Sequence, residues 1–376
     1  PLTRAKGTYD RCVDLLNRIP GNSPVAFRMP CCDSLNTVSP RFYSEIFNGT
    51  SPEGRHLAIS SSVFNLFTRK DPTLFSGHVV DEDGTERFRQ YIPKGLKRGG
   101  LDNSRFVNSI ENYPYPFVIN KLCWEFPCAV PSDWEAQFLQ KPNNPKTVED
   151  MKMALRLTVR KQGVFNLVFH PHGWIKSEQV VDIIDYAVST YGKRVKFLTF
   201  REAYDRLNEN LLAGNPLRAE DGSDNGVRIV DVNQDGYMDV VIGNSETKKT
   251  RVWDTAKSAW SESSFFASLT PRIIVPRHPH QPARRPGQFL TTPGSSGVSF
   301  VKIHLLSELS DPGLRQIETR RFQDGEWVTD RPLQELFRSV LKFGESQPDG
   351  HLADVSFRQL NRSGSSIVLA TRGAFV

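Results

Sequence analysis

The sequence predicts an α/β region followed by an all-β region built from repeats, and three observations predict it. Over residues 1–210, amphipathic helical patterns alternate with short apolar runs. After residue 218 the pattern turns to short strands and turns, with no amphipathic helix before residues 332–341. Within that all-β region a short pattern recurs 71 and 128 residues after its first occurrence. Composition agrees: 38% hydrophobic and 24% charged residues, with 24 Phe, 9 Tyr and 6 Trp, exclude a disordered, collagen-like or coiled-coil chain. At 376 residues two domains are the natural division. We place them at 1–210 and 219–376, joined by a linker at 211–218 that holds Gly214 and Pro216.

In the α/β region, Tyr9, Val13, Leu16 and Ile19 recur at helical spacing and stop at Pro20-Gly21-Asn22. Residues 25–29 read as a short buried strand. Ser39-Pro40 offers an N-cap and an N1 proline for a helix through Phe47. Thr147 and Asp150 open a helix with Met151, Leu155 and Val159 on one face, for which Gly163 supplies a left-handed stop. Residues 164–169 form an apolar run, expected as a strand that delivers the loop His170-Pro171-His172-Gly173-Trp174. Ser177 then caps a helix ending at Gly192, residues 195–198 are expected as a second strand, and Thr199 with Glu202 forms a capping box for a helix through Leu212. In a parallel α/β sheet or barrel the functional loops lie at the carboxyl ends of strands. Arg28 and His170 both fall at such ends.

In the all-β region, residues 225–233 resemble residues 296–304 and 353–361, and the first two units close with a Trp-bearing strand, at Trp253 and Trp327. Repeated helix-free units of this kind suggest propeller blades at about 219–260, 290–328 and 350–376.

The net charge of +6 is spread along the chain or sits in the Pro-rich stretch of Arg272, Arg277, Arg284 and Arg285 without interleaved aromatics, which does not describe a nucleic-acid surface. No apolar run approaches the ~20 residues that span a bilayer. The five cysteines are too few for a disulfide scaffold; a Cys123–Cys128 pairing is open but not indicated, and Cys31-Cys32 has no CxxC partner for a zinc ribbon. The chain opens at Pro1 with neither an initiator Met nor a signal-like run and stops just beyond an apolar stretch, so we expect a fragment. A monomer is expected.

Asp231, Asn233, Asp235 and Asp239 stand at positions 1, 3, 5 and 9 of a loop with Gly236 at position 6. Oxygen donors at that spacing, with a glycine at the sharp turn, are what Ca²⁺ requires. Ile242 stands where an EF-hand would have Glu, so this is not an EF-hand. The later repeats lack the carboxylates, having Lys302 at the first position of one and Gln359 at that of the other, so one calcium is expected, at 231–239.

The loop resembles the FG-GAP repeat of integrin-type propellers, which in some secreted bacterial proteins is fused to a polysaccharide deacetylase domain. Residues 1–210 resemble the later portion of that deacetylase family: Phe27-Arg28-Met29-Pro30 matches its Arg-x-Pro motif, Ser132-Asp133-Trp134 its Asp-Trp motif, and the run ending Phe169-His170-Pro171-His172 its last His motif. The resemblance implies an incomplete (β/α) barrel, a polysaccharide substrate, and Zn²⁺ or another divalent metal assisting removal of acetyl groups. It implies His170 as general acid, Asp133 holding it, and Arg28 orienting a catalytic base. His172 ranks second as the acid or as a wall residue, and Trp134 and Trp174 are candidate sugar-stacking platforms. The family's Asp-Asp and His-x-x-x-His metal motifs do not occur before Arg28, so residues 1–376 alone are expected to be inactive. The alternative is a calcium-stabilised propeller module for adhesion or glycan binding, carrying an inactive deacetylase-like domain. Either reading implies a secreted or periplasmic location.

Overall fold

The computed structural model describes residues 2–29, 40–91, 109–140, 144–170, 173–270, 287–290, 297–303 and 317–341. The chain divides into two compact units, Pro1–Leu207 with Glu220–Ser223, and Asn208–Ala219 with Asp224–Val376. The first mixes helices with mainly parallel strands; the second is built on antiparallel sheets. Among the described residues the strands do not close into a barrel, and no helix is long and apolar enough to cross a membrane.

In the first unit, helix α1 (Leu2–Asn17) buries Tyr9 and Val13. Strand β1 (Ala26–Phe27) runs parallel to β2 (Ile59–Ser60), which runs parallel to β6 (Cys123–Glu125); β5 (Phe117–Ile119) closes that sheet as an antiparallel neighbour of β6. A second, three-stranded parallel sheet places β3 (Phe64–Leu66) between β4 (Ser109–Glu111) and β7 (Cys128–Ala129). A π-helical segment at Phe42–Phe47 takes the place of the regular helix expected there. It packs Tyr43, Ile46 and Phe47 with Tyr9 and Val13. Short helices α2 (Ser76–Val79) and α3 (Asp133–Glu135) interrupt the loops.

Helix α4 (Pro145–Arg160) starts earlier than Thr147 because Asn144 caps it, accepting from Lys146 N at 3.0 Å, with Pro145 in the first turn. It ends at a left-handed Gln162 (φ 55°) rather than at Gly163. Gly163 is needed for another reason: a Cβ there would stand 2.5 Å from the Pro114 carbonyl oxygen. Helix α5 (Ser177–Tyr191) begins at Ser177 with Lys176 as cap residue, and Gly192 (φ 53°) follows it. The Thr199–Glu202 capping box forms as expected: Glu202 N donates to Thr199 Oγ1 at 3.2 Å and Thr199 N to Glu202 Oε2 at 2.7 Å, opening α6 (Phe200–Arg206).

Two expected strands do not form. Residues 164–169 are not part of a strand but make scattered backbone bonds, Val164 N to Pro114 O at 2.7 Å, Ala129 N to Asn166 O at 2.9 Å and Asp133 N to Val168 O at 3.2 Å. Pro131, without an N–H, interrupts the bonding to this run, which resumes only at Asp133 N. Residues 195–198 form no strand with any of the described residues, and Phe197 is 60% exposed. An apolar run sets strand propensity, but only a neighbour with free N–H and C=O groups makes a strand.

The second unit holds two four-stranded antiparallel meanders: β8 (Val227–Val230), β9 (Asp239–Gly243), β10 (Lys248–Asp254) and β11 (Ala259–Ser264), then β12 (Gln288–Leu290), β13 (Ser299–Ile303), β14 (Ile317–Gln323) and β15 (Glu326–Thr329), followed by helix α7 (Arg331–Leu341). The sequence repeat has a packing reason. Gly226 and Gly297 are equivalent, and a Cβ would lie 2.6 Å from Gly243 O in one and 2.1 Å from Phe322 O in the other. Phe265, Phe300, Phe322 and Trp327 fill a shared core with Val232 and Val241, and Trp327 Nε1 donates to Thr250 Oγ1 at 2.8 Å. The third repeat, at 350–376, lies outside the described residues.

Candidate active site

At the carboxyl ends of β1, β2 and β6 the chain places Arg28, the triplet Ser60-Ser61-Ser62, and Glu125. Arg28 Nη2 donates to Ser61 Oγ at 2.7 Å and to Asn166 Oδ1 at 3.3 Å. Asn166 Nδ2 donates back to Ser61 Oγ at 2.5 Å and to the Phe126 carbonyl at 3.2 Å. The guanidinium is therefore fixed by neutral acceptors. Cys128 lies beside it, its Sγ 3.4 Å from Ser61 Oγ.

The second cluster is centred on His170. Asp133 is fully buried; its carboxylate accepts the His170 backbone N–H and faces His170 Nδ1 at 3.0 and 3.1 Å. That contact assigns the ring proton to Nδ1 in the neutral imidazole. Asp133 N in turn donates to Val168 O at 3.2 Å, so the two sequence motifs are laid side by side by backbone bonding. The His170 side chain remains 44% exposed. Its ring centroid is 4.5 Å from that of Trp174, which meets Phe138 at 5.4 Å, and Phe138 meets Trp134 at 5.0 Å. Phe138 is 55% exposed. Asn166 belongs to the run that ends at His170, and so joins the Arg28 cluster to the His170 segment.

The structure thus brings together Asp133, His170, Trp134 and Trp174, and Arg28 with a partner on the same run. His172, Cys31 and Cys32 lie outside the described residues. Sequence reasoning missed Ser61, Asn166, Phe138 and Glu125. Ser61 and Glu125 carry a weak signal, being polar residues directly at the ends of apolar runs, where strand-end side chains meet a site.

In the second unit the oxygen-bearing loop is formed. Asp231 Oδ2 accepts Gly236 N at 2.9 Å, Asp231 Oδ1 accepts Asp235 N at 3.0 Å, and Asn233 Nδ2 donates to Asp235 Oδ2 at 2.9 Å. Asp239 is turned inward and fully buried, accepting Val232 N at 2.9 Å and Trp253 N at 3.0 Å. Burial pushes its carboxyl up to about 6, against the two backbone donors, with the charges of Asp235 and Asp231 adding to the rise. Three acidic groups therefore repel one another across the loop. No group of three His, Cys, Asp or Glu side chains already gathered to hold a metal ion occurs among the described residues.

Comparison with family models, with curated proteins and with solved structures returns no match for this chain.

Proposed function

We propose that the first unit belongs to a hydrolase that removes acetyl groups, amide- or ester-linked, from a polysaccharide or related saccharide, with His170 as general acid. The observation that carries this is the buried Asp133 gripping an exposed His170 through both its backbone N–H and Nδ1, beside an aromatic wall. A carboxylate at Nδ1 fixes the ring's orientation, leaving Nε2 as the atom that can deliver a proton to a leaving amine or alcohol. Trp174, Trp134 and Phe138 offer flat apolar faces of the kind that stack on sugar rings. Arg28, held by Ser61 and Asn166, supplies a fixed positive charge for an anionic group of the site. The described residues of the first unit do not fit the divalent metal that the family resemblance implies, because they gather no ligand set. The test is acetate release from acetylated chitooligosaccharides by the protein as the cell makes it. Release is expected, and His170→Ala should lower kcat by ~10²-fold or more, the usual worth of a general acid. Unchanged turnover in that variant, or no release from any acetylated saccharide, overturns the reading.

A second reading is favoured by Asp239: the second unit is a propeller-like module for adhesion or glycan binding, stabilised by one Ca²⁺ at Asp231, Asn233, Asp235 and Asp239. The donor chemistry fits a hard cation, and a cation relieves the mutual repulsion that helps to raise Asp239. Calcium outside the cell is abundant enough to fill weak sites, in keeping with a secreted or periplasmic protein. Calorimetric titration of the metal alone into calcium-stripped protein should give one site; no heat, or two sites, counts against it.

A further inference from the structure

Glu125 is a buried acid that the proposed chemistry does not use. It ends β6, in register with Ser60 of β2, and through Ser60 with Phe27 of β1, immediately before Arg28. Its side chain has no exposure, and Oε1 accepts Ser62 N at 2.7 Å and Val63 N at 2.9 Å. Oε2 is buried without a hydrogen-bond partner among the described residues. Burial raises the carboxyl's pKa; the Ser60 hydroxyl, the two backbone donors and the Arg28 charge work the other way. A buried acid is costly, so something must favour keeping it.

What it holds is the turn after β2. That turn carries Ser61, whose hydroxyl accepts from Arg28, and Ser62, whose hydroxyl accepts the Met29 backbone N–H at 3.0 Å. Arg28 is thereby gripped on its side chain by one serine and on the following peptide by the next. Ser60 and Ser62 hydroxyls lie 3.3 Å apart, and Tyr43 OH lies 3.4 Å from Ser60 Oγ, so the underside of the turn is a buried hydroxyl row closed by Glu125. In a parallel sheet the pleat sends neighbouring residues to opposite faces. Glu125 and Ser60 therefore share one face, while Ser61 and Arg28 take the other.

We propose that Glu125 is a positioning residue for Arg28, acting as a hydrogen-bond clamp on the Ser60-Ser61-Ser62 turn and not by touching substrate. The proposal rests on the deacetylase reading for its catalytic consequence but not for its geometry. An amide oxygen can accept the same two N–H groups, so Glu125→Gln should retain the clamp and Glu125→Ala should lose it.

The experiment follows the Arg28 side chain by NMR in ¹⁵N-arginine-labelled protein, alongside acetate release. In the wild type the Arg28 guanidinium signals should show restricted rotation; in Glu125→Ala they should average, and in Glu125→Gln they should match the wild type. Turnover should fall by up to ~10²-fold in Glu125→Ala, the scale of a misplaced site group, with KM within about twofold, and return in Glu125→Gln. Should Glu125→Ala fail to fold, Ser62→Ala, which deletes only the hydroxyl beneath Met29, should loosen Arg28 in the same sense. Unaltered Arg28 signals in the alanine variants overturn the proposal, as does a Glu125→Gln as damaged as Glu125→Ala. Arg28 signals restricted in the wild type and averaged in Glu125→Ala, in a protein that releases no acetate, support the clamp and sink the deacetylase reading alone.

Discussion

The two units bury polar groups in opposite ways. In the first, short parallel strands of two or three residues end at or just before buried polar side chains, Ser60, Ser61, Ser62 and Glu125, a further buried carboxylate, Asp133, opens the short helix α3, and hydrogen bonds between loops hold the site. In the second, antiparallel strands of up to seven residues satisfy their own backbones, and the interior is aromatic. The contrast assigns precision to the first unit and packing stability to the second. A short parallel strand exposes unpaired groups at its end, where a site can be built; a long meander leaves few groups free.

That contrast can be broken first at Trp327. Its ring packs on Phe265, Phe289 and Phe322 and its N–H binds Thr250, so Trp327→Ala should cost about 3–5 kcal/mol in denaturant unfolding of the second unit while acetate release is unchanged. A cost below about 1 kcal/mol would mean that the aromatic interior is not what stabilises this unit.

Calcium should act on the same unit. At a hundredfold excess over Kd the gain is about 2.7 kcal/mol, read as a rise in Tm that EDTA reverses. The pH dependence follows from Asp239, whose folded value of about 6 lies above the ordinary carboxyl value of 3.8. A raised carboxyl makes the folded state bind the extra proton, so in EDTA this group's contribution to stability is greatest below about pH 4 and declines as pH rises through about 6. Calcium needs the ionised form, and its stabilising effect should grow over that window. A calcium effect independent of pH between about 4 and 6 would remove Asp239 from the site.

In the first unit, Asp133→Asn should depress turnover about as far as His170→Ala and cost about 1–3 kcal/mol, because an amide cannot accept at both oxygens from the His170 N–H groups. A full-activity Asn variant would detach Asp133 from the chemistry.

The smallest effect is expected at Asp71. Burial opposes its charge, but Lys161 and Thr73 hold it down to about 2. A depressed carboxyl stabilises the folded state above the unfolded value near 4, and that contribution is lost as pH falls through about 2. Asp71→Asn should flatten stability over this acid window by on the order of 1 kcal/mol or less, the range of a partly exposed ion pair. A slope that persists unchanged in the variant assigns it to other carboxylates.

Local signals in the sequence are legible where the whole interaction lies within a few residues. The Thr199–Glu202 capping box needs only four residues, and the expected helix at 332–341 is observed as α7. Gly163 reads as a helix stop, a local reason, yet its requirement comes from Pro114. Residues 164–169 and 195–198 have strand-like composition, but pairing partners decide strands, and these runs find few or none. Of the site, the Asp133 and His170 motifs are legible as residue types in order. Their contact, across 37 positions, is not.

By itself the sequence determined the division into a helix-bearing region and a strand-repeat region, the oxygen spacing of the 231–239 loop, and the residue types of the His170 cluster. Periodicity, turn chemistry and donor spacing are local properties that a linear chain displays. Tertiary structure alone decided that Asn166 and Ser61 hold Arg28, that Phe138 joins the two tryptophans, and that Glu125 lies buried beneath the serine turn with one oxygen unpaired. These depend on which strands become neighbours and in what register. A shift of one residue would send each strand-borne side chain to the opposite face of its sheet, and nothing in the local pattern of a two-residue strand specifies that choice.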